Sequence, residues 1–480
     1  MKKNKNWYSK VKNRLHFDTK VCRSKASKII RPENVIHHAF YPFVYFEIKQ
    51  FKLSKKHEQK TDPNISIIDP YKRRDIYYSC HSDSYIYSYY NEILLSQYEK
   101  YLKNNCLDCS IAYRHIDKNS NSTGMSNIDF AAEAFKEIDL RKNCYVLGLD
   151  IHGFFDNLDH EILYKNLCKI LEEEKLSEHW YKIYKNLTNF HYVELKQILS
   201  NKHIKSNRNQ FWNAEKHSFD KICSSKIFRM IISETPGIIQ KNKNISKGIP
   251  QGTNISGTFA NIYMIDFDKK ISLLMNKLGG YYRRYSDDIL IITNNKEDLE
   301  NIIILVKDLL KILKLDLSEK KTVCCKFTNG TSNAEICSLK ILPNQNEFQY
   351  LGFTYDGKKI LVRNGTMGCF WRDAFRHIRR IVLGNFKQRK RIPLKKIYGL
   401  YSHLSNKKSE YGNFYNYIRK AQRIMEYDYG FGSKVHIKTQ MSKSWEVLHK
   451  YLWKLKCKYN IPDTELKMPR DLEEKFKNSI

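Results

Sequence analysis

The chain has 480 residues, and its 84 Lys and Arg against 51 Asp and Glu give a formal net charge of +33. Hydrophobic residues make up 41% and aromatic residues 13%, which excludes a globally disordered chain. A charge this large is atypical of an enzyme that acts on small metabolites. It indicates a polyanionic partner, most often nucleic acid, although an AT-rich genome would also enrich Lys and Asn.

The sequence gives no sign of a membrane or secreted protein. It lacks a run of about 18 apolar residues, and its basic N-terminus lacks the apolar stretch of a secretory signal. Its 12 cysteines are scattered, and the CxxC pair Cys106 and Cys109 has no second pair to complete a zinc site. We therefore expect a cytoplasmic protein with reduced thiols and no membrane contact.

The first half of the chain begins with a basic N-terminal extension over residues 1–60. Apolar residues at helical spacing then predict helices over 84–103, 130–138 and 160–174. Between the last two, the run CYVLGLDI (144–151) predicts a buried strand. Residues 200–247 show no clear period and receive no assignment.

The second half opens with a predicted helix over 256–275, for which Ser256 is the expected N-cap. The segment YYRRYSDDILIIT (281–293) predicts two short strands joined by a tight turn. The segment 348–363 alternates in period two around Asp356-Gly357, which predicts a hairpin. From about residue 370 the pattern is helical, basic and aromatic.

Three acidic residues lie at the ends of apolar runs. Asp150 ends the strand CYVLGLDI, and Asp287 and Asp288 lie in the turn of the 281–293 segment. Carboxylates in such places are costly unless they are neutralised. Divalent cations that prefer oxygen ligands, Mg²⁺ or alternatively Mn²⁺, would neutralise them, and two such ions support phosphoryl transfer. A solvated Asp-Asp turn without function is the competing interpretation.

Three motifs in the order LDIHGFFD (149–156), GIPQGT (248–253) and YSDD (285–288) resemble motifs A, B and C of reverse transcriptases. Further segments resemble motif D, the primer-grip hairpin (motif E) and the basic fingers segment; these are LDLSEKKTVCCKF (315–327), FQYLGFTYDGKKILVR (348–363) and PYKRRDIYYS (70–79). The resemblance therefore spans about residues 70–365.

This resemblance implies an α+β chain with a right-hand polymerase fold. Fingers and palm, with an antiparallel catalytic sheet, would occupy 61–345 and include a long insert at about 175–245. The primer-grip hairpin and a basic helical thumb or C-terminal domain would occupy 346–480.

The resemblance also implies roles for individual residues. Asp150, Asp287 and Asp288 would be catalytic and would hold two Mg²⁺ ions together with the carbonyl of Ile151. The expected nucleotide-binding residues are Lys72, Arg74, Phe155, Gln251 and Lys321. Residues next to the primer or template would be Tyr285, Gly252, Tyr350 and Gly352. Arg73 competes with Arg74, and Lys320 with Lys321, because the register is uncertain by one residue.

Phe155 lies five residues after Asp150, where members of the family keep an aromatic ring beneath the sugar of the nucleotide. A bulky ring there would clash with a ribose 2′-hydroxyl and select deoxynucleotides. RNA-copying viral polymerases tend to have Asp at that position, whereas here the acid, Asp156, comes one residue later. We therefore expect DNA synthesis. The alternative is that Phe154 or Phe155 is a core residue.

Within the family, the segment 74–99, the insert before motif B and the helical C-terminal region resemble bacterial defence-associated and abortive-infection reverse transcriptases. This implies an RNA-directed DNA polymerase in anti-phage defence, with dNTPs as substrates, a structured non-coding RNA as template and DNA as product. A homo-oligomer is compatible with the sequence. The alternatives are a protein-primed or untemplated, terminal-transferase-like polymerase, and less favourably a retron-type enzyme or a non-catalytic RNA-binding scaffold.

The positive charge is concentrated towards the C-terminal end. Residues 361–480 contain 27 Lys and Arg against 10 Asp and Glu, a net charge of +17. Compositional bias does not readily predict that location. We therefore expect this helical region to bind nucleic acid, mainly through its phosphates.

Overall fold

The computed structural model describes residues 6–51, 71–118, 124–204, 208–213, 218–334, 346–404 and 413–469. The chain divides into two compact units. The first unit comprises Met1–Arg114, Leu149–Ile291 and Glu300–Lys321, and the second comprises His115–Gly148, Ile292–Leu299 and Thr322–Ile480. The expected division into an extension, a fingers-and-palm region and a C-terminal region stays a prediction.

The described elements mix helices and strands, as expected for an α+β chain. The helices are α1 (Arg23–Ile29), α2 (Pro32–Ile36), α3 (His81–Asn104), α4 (Asn127–Arg141), α5 (Phe154–Asn157), α6 (His160–Leu171), α7 (Glu178–Thr188), α8 (Leu195–Ser200), α9 (Ser225–Glu234), α10 (Ser256–Tyr263), α11 (Ile265–Lys277), α12 (Lys296–Ile312), α13 (Asn364–Lys387), α14 (Leu394–Tyr401), α15 (Phe414–Arg423) and α16 (Ser444–Tyr459). None of these helices has the length and apolar character needed to cross a bilayer.

The strands are β1 (Phe43–Phe51), β2 (Tyr71–Tyr78), β3 (Cys144–Asp150), β4 (His191–Glu194), β5 (Trp212–Asn213), β6 (Ser218–Phe219), β7 (Gln240–Lys241), β8 (Tyr281–Tyr285), β9 (Asp288–Thr293), β10 (Val323–Thr328), β11 (Thr331–Ala334), β12 (Phe348–Tyr350), β13 (Phe353–Tyr355) and β14 (Ile360–Val362). In the described part of region 200–247, which has no sequence period, β5 pairs with β6 and β7 pairs with β4.

A four-stranded sheet in the first unit has the order β2-β1-β4-β7. Strands β1 and β2 are antiparallel with Phe46 opposite Ile76, whereas β1 and β4 are parallel. One face of this sheet contributes Val44, Tyr78 and Val193 to a buried cluster. Within the basic segment 70–79, Tyr71–Tyr78 is therefore a strand, and successive side chains from Arg73 onward lie on opposite faces.

The hairpin predicted at 281–293 is confirmed, because β8 and β9 are neighbouring strands joined by the two residues Ser286 and Asp287. The single helix predicted over 256–275 is instead two helices, α10 and α11. They separate at Met264, whose N–H bonds to the Asn261 carbonyl in a tighter i→i+3 turn. Ile255 is the N-cap rather than Ser256, whose hydroxyl donates to the Pro250 carbonyl.

In the second unit, residues Cys144–Gly148 of β3 pair antiparallel with β10, and β10 pairs with β11. Strands β12, β13 and β14 form an antiparallel meander. The hairpin predicted at Asp356-Gly357 is confirmed, but the stretch before it is broken by a further two-residue turn. Leu351 and Gly352 both have positive φ there, as turns between neighbouring strands require. Helices α13, α14 and α16 share a buried apolar cluster.

The N-terminal segment is part of the core of the first unit. Trp7 and Leu15 are buried, and the Asp18 carboxylate accepts hydrogen bonds from the backbone N–H groups of His81 and Ser82 at the start of α3. Burial opposes ionisation of Asp18, but hydrogen bonds from the His81 side chain and from the two backbone groups outweigh it and lower its pKa to about 2.

His16 makes the stability of this segment depend on pH. Burial lowers the pKa of its imidazole to about 3, and the Phe17 N–H donates to Nδ1, which requires the neutral ring. The unfolded chain binds a proton near the ordinary pKa of 6.5, so the stability from neutral His16 is present above that pH and is lost towards pH 3.

We expect His16→Phe to reduce the loss of unfolding free energy between pH 7 and pH 4.5 by up to about 1.4 kcal/mol per pH unit. Urea denaturation at several pH values measures this slope. His37→Gln, at an exposed histidine, is the control. The same slope in wild type and His16→Phe would contradict the prediction.

Candidate active site

The structure joins the three predicted carboxylate positions within the first unit. Asp150 is the last residue of β3, Asp287 lies in the β8–β9 turn, and Asp288 begins β9. The N–H of Ile151 donates to the Asp287 carbonyl at 3.2 Å, so the end of β3 lies directly beside the turn. The sequence alone placed these acids 137 residues apart, and this backbone bond brings their segments together.

Lys321 contacts the carboxylate of Asp150 through its ammonium group. Its position follows from the backbone, because the Ser318 N–H donates to the Asp150 carbonyl at 2.7 Å and a short helical turn then ends at Lys321. The ammonium is half exposed. Lys321, one of the two candidate motif D lysines, therefore lies beside Asp150, where it offsets negative charge. The Lys320 side chain lies outside the described part of the structure.

Beneath the β8–β9 turn lies a buried ion pair. Arg284 and Asp268 are both fully buried, and the guanidinium donates to both carboxylate oxygens, at 2.8 and 2.6 Å. The same guanidinium donates to the Ser286 carbonyl at 3.0 Å and to the Asn261 side chain at 3.2 Å. Burial alone would lower the pKa of Arg284, but the charge and hydrogen bonds of Asp268 outweigh it and raise that pKa.

This arrangement fixes the backbone that presents Asp287. Ser286 has a positive φ of 61°, which is unfavourable for a residue with a side chain. The Arg284 hydrogen bond to its carbonyl holds the turn in that conformation. Tyr285, which precedes the turn, is half-buried, and burial together with the adjacent Asp288 raises its pKa.

The glycines of GIPQGT allow close backbone contacts. A Cβ at Gly248 would lie 2.9 Å from the Asp156 carbonyl oxygen, and one at Gly252 would lie 2.7 Å from that of Tyr77. Both glycines have positive φ. The Gln251 carbonyl accepts from the Tyr77 N–H at 2.8 Å. The two glycines thus let the GIPQGT backbone approach the backbone at Asp156 and at Tyr77. The hydrogen bond to Tyr77 places Gln251 beside strand β2.

Phe154 and Phe155 have different environments. Phe154 is buried, with 3% exposure, whereas Phe155 is half-buried. The Phe155 ring meets the ring of Tyr113 edge to face, with centroids 6.4 Å apart. Phe154 is therefore the core residue of the two, and Phe155 is the one available to a ligand.

The basic residues of β2 lie on different faces of the strand. Arg73 pairs with Glu47 at 3.0 Å. Arg74 is exposed and shares its face with Ile76, which lies next to Gly252. This arrangement favours Arg74 over Arg73 for a role beside motif B. The Lys72 side chain lies outside the described part of the structure. Arg114, a further candidate in the fingers, instead forms two hydrogen bonds to the Glu99 carboxylate.

Tyr350 and Gly352, predicted near the primer, lie in the second unit at the β12–β13 turn. Tyr350 is buried and stacks on Phe348. The turn is held by Asn127, whose side-chain amide donates to the Leu351 carbonyl at 3.3 Å. Gly352 has open space around its Cα, so of the two residues it is the one accessible to a ligand.

Residues 207–355 match the family model described as reverse transcriptase (RNA-dependent DNA polymerase). This region, about a third of the chain, is therefore similar to a reverse transcriptase domain. Such a domain indicates an RNA-directed DNA polymerase, which is a nucleotidyltransferase. The matched residues include Gln251, Asp287 and Asp288 but not Asp150. The mixed architecture fits the expected right-hand polymerase fold.

No curated protein matches the chain. Among solved structures, a truncated apo telomerase from Candida tropicalis is similar over 61% of this chain and 53% of its own, with 15% identity and a TM-score of 0.38. Telomerase from Candida albicans, in complex with a fragment of telomeric RNA, is similar over 94% of this chain and 68% of its own, with 11% identity and a TM-score of 0.37. The chain spans about half the length of the first of these.

The donor set of the candidate site fits hard divalent cations. Asp150, Asp287 and Asp288 offer carboxylate oxygens, which Mg²⁺ and Mn²⁺ prefer. The backbone carbonyl of Ile151 lies in the same segment as Asp150. Reverse transcriptases generally use divalent metal ions, and these are the residues that could hold them.

Sequence reasoning missed the buried ion pair that supports the candidate site. In YYRRYSDD, Tyr282 and Arg284 lie on the same face of β8, and both are buried. A charged residue at an inward position demands a buried partner. That signal was available in the sequence, but the identity of the partner, Asp268, was not. Tyr113 was missed as well, because nothing in its sequence context links it to the catalytic turn.

We expect Asp268→Asn to lower the free energy of unfolding by about 3–5 kcal/mol, because it leaves the Arg284 charge buried without its counter-ion. Urea denaturation measures the change. Asp266→Asn on the same helix removes a half-exposed carboxylate paired with Lys169 and should cost no more than about 1 kcal/mol. Equal losses in the two variants would disprove a special role for the buried pair.

Proposed function

We propose that this protein is an RNA-directed DNA polymerase that makes DNA from dNTPs by two-metal-ion nucleotidyl transfer. The observation that supports this most directly is the bond between Ile151 and Asp287, which brings Asp150 to the Asp287-Asp288 turn in a chain similar to a reverse transcriptase domain over about a third of its length. Three carboxylates on adjoining backbone segments suit the chemistry of a two-metal site.

In this proposal Asp150, Asp287 and Asp288 hold two Mg²⁺ ions, with the Ile151 carbonyl as a further ligand. Bound there, the ions lower the pKa of the primer 3′-hydroxyl and stabilise charge on the leaving pyrophosphate. Lys321, whose ammonium contacts Asp150, would bind the phosphates of the incoming nucleotide.

The other expected residues orient the substrate. Arg74, with Lys72, binds the β- and γ-phosphates, for which a guanidinium fork is suited. Gln251 lies against the incoming nucleotide and the template base, and Phe155 lies beneath the sugar. Residues near the primer and template are Tyr285, Gly252, Tyr350 and Gly352.

We further propose that the enzyme acts in anti-phage defence in the cytoplasm, copying a structured non-coding RNA. The resemblance of segment 74–99, of the insert before motif B and of the helical C-terminal region to defence-associated enzymes supports this. Cells that carry the gene should resist phages that infect cells carrying the Asp287→Asn variant. Equal plaque counts on both strains across a broad phage panel would count against the proposal.

Asp287→Asn and Asp288→Asn should each lower incorporation of labelled dNTPs about a hundredfold or more, because each removes a metal ligand. Asp266→Asn, whose carboxylate lies on the surface of α11, is the control with the same chemical change. The assay uses the purified full chain with its co-purifying nucleic acid and Mg²⁺, with and without chelator. Undiminished incorporation by both variants would refute the polymerase assignment.

The DNA made in this assay also distinguishes ordinary primed synthesis from the protein-primed or untemplated alternative. DNA that matches an RNA template and migrates identically before and after protease treatment indicates ordinary primed synthesis. DNA that is freed from the protein only by protease, or that has no template match, indicates the alternative.

A basic depression in the second unit is a candidate contact for nucleic acid. Its open volume is about 620 Å³, and its lining is Arg419, Lys420, Gln422, Arg423, Glu426, Tyr427 and Lys438. Tyr427 is 71% exposed. Positive side chains beside an exposed ring suit a nucleic-acid backbone and an unpaired base.

Replacing Arg419, Arg423 and Lys438 together by Ala should weaken RNA binding and reduce the salt slope of log K by about 2. Fluorescence anisotropy with a labelled RNA at several salt concentrations measures both quantities. The control replaces Lys269, Lys270 and Lys277, three exposed lysines of α11. If both triple variants change the slope equally, the depression is not a specific contact.

A further inference from the structure

We infer that Tyr113 is a positioning residue for nucleotide selection, which acts by holding the ring of Phe155 and the β8–β9 turn in one arrangement. The inference rests on the proposed function and deepens it. Tyr113 precedes Arg114 in a loop before the second unit begins, and neither composition nor motif points to it.

The hydroxyl of Tyr113 contacts the turn that carries the catalytic carboxylates. Its oxygen lies 3.3 Å from the Oγ of Ser286, so a hydrogen bond joins the two side chains. Ser286 immediately precedes Asp287 and has positive φ. The turn is therefore contacted twice at Ser286: the Tyr113 phenol bonds to its side chain, and Arg284 bonds to its carbonyl.

The ring of Tyr113 contacts Phe155, the residue predicted to exclude a ribose 2′-hydroxyl. It meets Phe155 edge to face at 6.4 Å with an interplanar angle of 80°, the geometry that aromatic pairs prefer. On another side it packs on Gly257 of α10, where a Cβ would lie only 2.5 Å from the Cγ of Tyr113. Gly257 thus leaves room for the Tyr113 ring beside Phe155.

The backbone of Tyr113 is held in a conformation that it would not adopt alone. Its φ is +60°, which is unfavourable for an aromatic residue and persists only where the surroundings enforce it. The surroundings do so through neighbouring residues: the Ile111 N–H donates to the Arg284 carbonyl at 3.0 Å, and the Asn261 amide donates to the Ala112 carbonyl at 2.8 Å.

Tyr113 therefore connects the residue that would sense the sugar with the turn that would hold the metal ions. Phe155 can exclude a nucleotide with a 2′-hydroxyl only if its ring is held in place and cannot turn away from the sugar. The edge-to-face contact restricts that movement of Phe155. Tyr113 is 48% exposed. Removing its ring therefore leaves a space that is open to solvent, and the Phe155 ring can turn into it.

The test compares kcat/KM for a dNTP and the matching rNTP in the full-length enzyme with its co-purifying nucleic acid. Tyr113→Ala should lower the preference for dNTP roughly three- to tenfold, as expected for the loss of one aromatic contact. Phe155→Ala should lower it further. The double variant should have the same preference for dNTP as Phe155→Ala, because Tyr113 acts through the Phe155 ring.

Tyr113→Phe separates the two contacts. It keeps the ring and should keep the preference for dNTP, while loss of the Ser286 hydrogen bond lowers kcat for both nucleotides and leaves KM unchanged. Tyr181→Ala, at a tyrosine of similar exposure (46%) on α7, should change nothing. Thermal melting verifies that each variant is folded.

Several outcomes would overturn the inference. If Tyr113→Ala lowers kcat equally for both nucleotides while Phe155→Ala alters their ratio, Tyr113 is a merely structural residue. Additive effects in the double variant would show that Tyr113 does not act through Phe155. A wild-type enzyme that incorporates no dNTP would refute the proposed function itself, and unaltered selectivity in Phe155→Ala would refute the role of Phe155 and the inference together.

Discussion

The buried Arg284–Asp268 pair is the interaction on which the candidate active site depends. Two charges without solvent contact are costly to bury, and their attraction compensates only where the remaining donors and acceptors are also satisfied. Here the guanidinium binds both carboxylate oxygens, the Asn261 amide oxygen and the Ser286 carbonyl. An apolar pair of the same volume could fill this space, but it could not hold a carbonyl in a turn with positive φ.

This ion pair fixes the backbone of two segments that carry the carboxylates. Through the Ser286 carbonyl it fixes the turn that presents Asp287, and through the Ile151–Asp287 backbone bond it fixes the end of β3 and hence Asp150. Acidic groups that converge on metal ions repel one another in their absence, so they need a rigid backbone. The half-exposed Lys321 adds a positive charge beside Asp150.

Much of the fold of the site was predictable because its signals are local. The β8–β9 hairpin follows from apolar runs around a polar turn, and the β13–β14 hairpin follows from Asp356-Gly357. Predictions failed where the cause was tertiary. Helix 256–275 divides at Met264, and the strand before Asp356 breaks at Leu351-Gly352, where the Asn127 side chain holds the turn from 224 residues away in sequence. Residues 200–247 lacked a period because their short strands pair with β4 and with each other.

The sequence by itself determined the chemistry of this protein: which residues are acidic, that three of them end apolar runs, and that positive charge accumulates towards the C-terminal end. Residue type and spacing are sufficient for those conclusions, because ligand preference and hairpin formation are local properties. Only the tertiary structure decided which residues support that chemistry. Asp268 under Arg284, Tyr113 against Phe155 and Lys321 beside Asp150 are contacts between distant segments, and no periodicity along the chain encodes the partner that a buried charge or a ring will meet.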